Sequence, residues 1–82
     1  MKITLKLFAS LAEQLPRHAV QNAVEVEVSD SASVDTVISD FNLPLDLVHL
    51  VILNGVYVAP EARGQVMSEG DTLAIWPPVA GG

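Results

Sequence analysis

His49-Leu50-Val51-Ile52-Leu53-Asn54-Gly55-Val56-Tyr57-Val58 decides the fold of this 82-residue chain. Leu50 to Leu53 form a continuous apolar run, the pattern of a strand covered on both faces. Asn54-Gly55 then separates it from a second apolar run, and both residues tolerate the positive φ that a two-residue hairpin turn demands. The segment is therefore read as a β-hairpin.

Upstream of the hairpin, Val34, Val37, Ile38 and Phe41 recur at helical spacing, the apolar stripe of an amphipathic helix. Ser29-Asp30-Ser31-Ala32-Ser33 supplies N-cap candidates, and Asp35 falls in the first turn, where the helix dipole favours an anion. Asn42 and Pro44 close the helix. This is the one long helix expected across a sheet. Val24-Glu25-Val26-Glu27-Val28 and Lys2-Ile3-Thr4-Leu5-Lys6-Leu7 both alternate, the period of half-buried strands. Paired antiparallel, they would set Glu25 and Glu27 on the side that carries Lys6 and Lys2. Between them, Ser10-Leu11-Ala12-Glu13 reads as a capping box that opens a short helix to about Leu15, where Pro16 discourages continuation. Residues 16–23, with Arg17, His18 and Asn22, read as a surface loop.

Downstream, Pro60 to Gly64 is a loop, Gln65 to Met67 a short connection and Glu69-Gly70-Asp71 a turn. Thr72-Leu73-Ala74-Ile75-Trp76 is the last strand. The order is strand, small helix, strand, long helix, strand, hairpin strand, strand. A mixed sheet of four or five strands with a helix on one face is an α+β layout, the β-grasp or ubiquitin-like arrangement. Residues 1–76 are assigned to this domain and 77–82 to a flexible tail ending in Gly-Gly.

That tail carries the functional expectation. Pro77 and Pro78 cannot donate ladder hydrogen bonds, so the strand stops there, and proline favours an extended course. Residues 77–82 would span roughly 20 Å when extended. Gly81 and Gly82 lack β-carbons, so the tip suits a channel that admits only backbone. A glycine pair at a chain end is a weak signal by itself, since ends are ordinarily small and disordered. Behind a strand and two prolines it gains meaning.

Composition narrows the alternatives. Eighty-two residues hold one core, and half of them are apolar. There is no cysteine, which removes disulfides, thiolate metal sites and a catalytic thiol on this chain. Ten acids against Lys2, Lys6, Arg17 and Arg63 leave a net charge of −6. Nucleic-acid binding, which needs a basic surface, is disfavoured, and basic protein surfaces are the natural partners. The same charge also serves solubility alone. No run is long enough to span a membrane, and no signal-peptide block opens the chain, so a cytoplasmic protein is expected. His18 and His49 read as a solvated loop residue and a strand-edge residue, with no carboxylates at metal-ligand spacing. Ser29, Ser31 and Ser33 are better caps than nucleophiles. Gly64 and Gly70 do not make a phosphate loop. The Gly82 carboxylate is left as the one group with a case for reactivity. For recognition, Phe8, Leu50, Ile52, Tyr57 and Trp76 are candidates on the sheet face away from the helix. Alternation puts Leu73 and Ile75 on one face and Ala74 and Trp76 on the other, which predicts an exposed Trp76 beside the tail. Aromatics anchor interfaces, so Trp76, Phe8 and Tyr57 are the partner-binding candidates. The competing assignment packs Trp76 in the core.

At Gly70-Asp71, Pro77-Pro78 and Gly81-Gly82 the sequence resembles the MoaD/ThiS family of ubiquitin-like sulfur carriers. Leu7-Phe8-Ala9 before a Leu-rich helix, and the Pro-Pro-Val-Ala-Gly-Gly ending, look like the small subunit of molybdopterin synthase in particular. Asn54-Gly55-Val56-Tyr57 departs from that subunit's usual pattern, as does the absence of an arginine from the early helix. The resemblance implies that a ubiquitin-activating-like enzyme uses ATP to adenylate Gly82, and that a sulfur donor then makes the thiocarboxylate. Pro77, Pro78, Val79, Ala80 and Gly81 would thread the active site of the molybdopterin synthase large subunit. The chain itself would be a non-catalytic sulfur-donor subunit with no bound cofactor. The thiamine-pathway carriers, other sulfur carriers and a protein modifier conjugated through Gly82 are the alternatives.

Overall fold

The computed structural model describes residues 1–78. The alternating segment at the N-terminus forms β1 (Lys2–Leu7), with Ile3, Leu5 and Leu7 buried. The second forms β2 (Ala23–Glu27), antiparallel to it, with Lys2 opposite Glu27, Thr4 opposite Glu25 and Lys6 opposite Ala23. Only one of the two expected acid–base pairings is therefore in register. Glu27 also stands 3.8 Å from the amino group of Met1, and that ammonium donates a 2.9 Å hydrogen bond to Asp30.

The apolar runs around Asn54-Gly55 become β3 (Leu50–Leu53) and β4 (Val56–Tyr57). Asn54 and Gly55 have φ of 51° and 83°, so the turn takes the left-handed conformation that the Asn-Gly pair permits. The last strand, β5 (Thr72–Trp76), runs parallel to β1 on one side and antiparallel to β3 on the other. The sheet order is β2-β1-β5-β3-β4, which places β5 at the centre. Such a mixed sheet is the β-grasp arrangement expected.

The helix on its face is shorter than expected. α1 (Val34–Asp40) has seven residues, about two turns, so it is not a long helix. Its start follows the serine chemistry: Ser33 Oγ accepts from the Thr36 N–H, and the Ser33 N–H donates to Thr36 Oγ1. Its end is set by Asn42, whose φ of 54° reverses the chain. The Asn42 N–H donates to the Ser39 carbonyl and the Leu43 N–H to the Ile38 carbonyl, a Schellman ending. Leu43 and Ile38 are both buried, the apolar contact that this ending favours. Phe41, the last member of the apolar stripe, thus lies just past the helix and packs at the core's margin.

The early helix also differs. Ala9–Gln14 is a 3-10 helix, and it begins before Ser10, at Phe8 and Ala9, with no side-chain cap. Ala9 has a φ of 52°, and the Leu11 N–H donates to the Phe8 carbonyl, so the turn closes one residue too early for Ser10 to cap it. Burial of Leu11 fixes that choice. Further short 3-10 turns lie at Leu45–Leu47 and Pro60–Ala62.

One apolar core joins Ile3, Leu5, Leu7, Val51, Leu73 and Ile75 of the sheet to Val34, Val37 and Ile38 of α1, with Leu11, Leu43, Val58 and Met67 around them. Full burial of an aliphatic side chain contributes about 1.5–3 kcal/mol. Among the described residues, no α-helix covers the other face of the sheet. β3 is accordingly covered on one face only: Val51 is buried, while Leu50 is exposed and Ile52 half-buried. The continuous apolar run reflects an apolar outer surface rather than a second covering layer.

Candidate functional site

The uncovered face is built by strand alternation and register. Residues of β1 and β5 that do not point at α1 are Lys2, Thr4 and Lys6, and Thr72, Ala74 and Trp76. Across β5, Leu50 stands opposite Trp76 and Ile52 opposite Ala74, and Tyr57 of β4 stands opposite Ile52. On the other flank, Glu25 and Glu27 of β2 adjoin Thr4 and Lys2. The face therefore divides into a charged half on β2-β1 and an apolar half on β5-β3-β4.

Phe8 and Trp76 join the apolar half. Leu7 pairs with Ile75, so the ends of β1 and β5 lie side by side, and the Phe8 N–H donates to the Ile75 carbonyl. The two rings stack with centroids 4.3 Å apart and planes 3° from parallel. Aromatic pairs contribute about 0.5–1.5 kcal/mol beyond their area burial. Both residues are half-buried, which meets neither the exposed nor the core assignment for Trp76. Each ring shields one face of the other and leaves the remainder to solvent. Tyr57 is 55% exposed and lies at the far side of the patch, reached through Leu50 and Ile52. The structure thus pairs Phe8 with Trp76 and sets Tyr57 apart from them.

The base of the tail is firmly held. The His49 N–H donates to the Trp76 carbonyl, extending the β3–β5 ladder to the last strand residue. Pro77 is buried and Pro78 exposed, so the chain leaves the domain after Pro77. Val79, Ala80, Gly81 and Gly82 lie outside the described residues, as does the expectation of an extended tail placed on them.

At the opposite end of β5, Asn54 does more than turn the hairpin. Its side-chain amide donates to Asp71 Oδ1 and its Oδ1 accepts from the Thr72 N–H, while Asp71 Oδ2 accepts from the Ser68 N–H. This clasp ties the hairpin to the turn before β5. Local sequence predicts only the φ of Asn54; Asp71, 17 residues away in the chain, meets its side chain because β3 pairs with β5.

His18 and His49 are both exposed. Among the described residues, no group of three or more His, Asp or Glu side chains is placed to hold a metal ion. No described helix is long and apolar enough to cross a membrane.

A mixed five-stranded sheet with one helix packed across it, ending in a central strand that feeds a tail, defines a ubiquitin-like domain. Residues 1–81 match the Mut7-C ubiquitin family model, and the chain belongs to that family. The resemblance to ubiquitin-like sulfur carriers, drawn from element order and the chain's ending, holds at this level. Solved structures agree. SAMP1 of Haloferax volcanii, small archaeal modifier protein 1, is 29% identical with full coverage of both chains and a TM-score of 0.67. The HVO 2177 protein of Haloferax volcanii is 26% identical over 100% of this chain and 87% of its own, with a TM-score of 0.78. A chain in the complex of subunits 1 and 2 of molybdopterin-converting factor from Helicobacter pylori shares the fold, at 14% identity, full coverage of both chains and a TM-score of 0.59. No curated protein matches the chain by sequence.

Proposed function

We propose that the chain is a ubiquitin-like carrier whose Gly82 carboxylate is activated and made to carry sulfur, and that it serves as the sulfur-donating small subunit of a molybdopterin synthase. The observation that carries this reading is the apolar patch of Phe8, Trp76, Leu50 and Ile52 on the uncovered sheet face, set where β5 hands over to Pro77-Pro78. A partner docked there holds the chain with Val79, Ala80, Gly81 and Gly82 directed into its own active site. A carboxylate is a poor electrophile, so ATP on an activating enzyme first converts it to an acyl-adenylate with loss of pyrophosphate. A sulfur donor then displaces AMP to leave the thiocarboxylate. The chain has no cysteine, so its terminus is the place for that sulfur. The fold shared with the Helicobacter pylori complex supports a large-subunit partner.

The purified chain ending at Gly82 is to be incubated with the activating enzyme of its host, ATP and a sulfur source, and its C-terminal peptide weighed. Replacement of one oxygen by one sulfur is expected, and an unchanged mass sinks the proposal. A second reading, a modifier joined through Gly82 to lysines, is favoured by the 29% identity to SAMP1. Isopeptide-linked Gly-Gly remnants on host lysines, without the thiocarboxylate, would select it.

A further inference from the structure

The charged half of the sheet ends in a free edge. β2 is the outermost strand on that side. The Leu7 N–H donates to the Asn22 carbonyl and the Val28 N–H to the Met1 carbonyl, which fixes the parity of the ladder. By that parity, Val24 and Val26 turn their backbone polar groups toward β1. The N–H and C=O groups of Glu25 and Glu27 therefore point outward, at the open edge. Those of Ala23 are taken by Val20, in a pair of bonds of 2.9 and 3.0 Å. Among the described residues, no backbone bond between elements reaches Glu25 or Glu27.

Beside this edge lies a groove of about 300 Å³, walled by Leu5, Leu15, Pro16, Val24, Val26 and Phe41. Its volume is at the lower limit for ligand pockets, room for side chains rather than a cofactor. The groove is on the helix side of β2, whereas the carboxylates of Glu25 and Glu27 stand on the open side. We infer that the β2 edge binds an extended peptide of another protein, with apolar residues alternating with lysine or arginine.

The geometry assigns each part of that peptide. As a sixth strand it satisfies the outward backbone groups of Glu25 and Glu27, which supplies affinity. Its alternate side chains fall on the two faces: one set enters the groove between Val24, Val26, Leu15 and Phe41, and the other lies beside the two carboxylates. Opposite charges at directly facing positions stabilise a strand pair, and like charges oppose it. A basic partner is thus selected, in keeping with a net charge of −6. A second copy of this chain is selected against, because antiparallel pairing of β2 with itself about Val26 brings Glu25 against Glu27. The edge is therefore guarded against self-association while it stays open to a partner of opposite charge. This inference does not depend on the tail chemistry.

The test uses the full chain, isotopically labelled, with the peptide acetyl-Lys-Val-Lys-Val-Lys-amide. Controls are a block peptide with its three lysines and two valines segregated, and the glutamate–valine counterpart. Binding of the alternating lysine peptide is expected to slow hydrogen exchange at the Glu25 and Glu27 amides and to shift the resonances of Leu15 and Phe41. The double variant Glu25→Lys/Glu27→Lys is expected to weaken it about tenfold and to turn preference toward the glutamate peptide. Gln14→Trp, which fills the groove from its exposed rim, is expected to weaken binding of the alternating lysine peptide without altering the charge preference. Equal binding of the block peptide, or binding without protection at those two amides, reduces the edge to a general acidic surface and overturns the inference. So does sedimentation showing that copies of the wild-type chain pair through β2.

Discussion

The two faces of one sheet divide the work of this protein. On the helix side, Ile3, Leu5, Leu7, Val51, Leu73 and Ile75 are 2% exposed or less and share one core. On the other side, Leu50, Ile52 and Trp76 of β3 and β5, with Tyr57 of β4, keep surface in contact with water. Alternation along a strand turns neighbours in sequence to opposite faces: Ile75 is buried in the core, and Trp76 beside it keeps part of its surface in solvent. A single strand can therefore be stabilised through one set of side chains and lend the other to recognition.

The strongest way to break this comparison is to truncate one residue on each face. Leu73→Ala removes a side chain with no solvent contact and is expected to cost about 2–5 kcal/mol in denaturant unfolding. Trp76→Ala loses the stack on Phe8 and part of a buried surface, an expected cost of about 1–2 kcal/mol. Its larger effect is expected on affinity for the activating enzyme or large subunit. A stability loss equal to that of Leu73→Ala, with binding intact, would place Trp76 in the core and erase the distinction.

Smaller changes sharpen the boundary. Asn54→Ala removes two hydrogen bonds to the turn before β5 and leaves an alanine at a φ of 51°, an expected cost of about 1–2 kcal/mol. Asn54→Gly relieves the conformation without restoring the bonds. Thermal unfolding of the pair therefore separates the clasp from the turn, and equal melting temperatures would assign the whole effect to the bonds.

The smallest effect belongs to the N-terminus, on the charged half. A hydrogen bond from the Met1 ammonium, reinforced by its charge, holds the Asp30 carboxyl below its ordinary range. The same bond to Asp30 raises the Met1 amine, partial desolvation opposes it, and the charges of Asp30, Glu27 and Glu69 add to it. The lowered acid gives stability that is present above the ordinary carboxyl pKa and fades as pH falls through the lowered one. The raised amine gives stability that is complete below the ordinary amine pKa and fades as pH rises through the raised one. Asp30→Asn is expected to flatten both limbs of a stability-against-pH curve, and unchanged limbs would show the contact to be idle in solution.

Much of this fold was legible because its signals are local. Asn54-Gly55 encodes its own φ values, Ser33 its cap, Asn42 its helix ending, and the alternation of residues 2–7, 24–28 and 72–76 encodes the strands. Where the reading failed, tertiary packing overrode local chemistry. Ser10-Leu11-Ala12-Glu13 has the spacing of a capping box, yet burial of Leu11 and the turn at Ala9 start the 3-10 helix without it. The stripe from Val34 to Phe41 counts one residue more than the helix holds, because Asn42 reverses the chain at that point. Of the candidate site, alternation gave the face of Trp76 but not its neighbour. Phe8 and Trp76 come from opposite ends of the chain, and only the parallel pairing of β1 with β5 sets them side by side. The edge groove joins Leu15, Val24 and Phe41 from three separate stretches of the chain, and no sequence spacing records that.

The central position of β5 has a mechanical consequence. The strand leading to the tail is gripped on both sides, by four paired positions with β1 and four with β3. Hydrogen bonds run across a strand, so a pull along it from Pro77 loads both ladders in shear together, whereas an edge strand would bear the same load on a single ladder. Under the proposed function, an enzyme that drew the terminus into its active site would pull against an anchor, and the force would move the whole domain before it frayed β5.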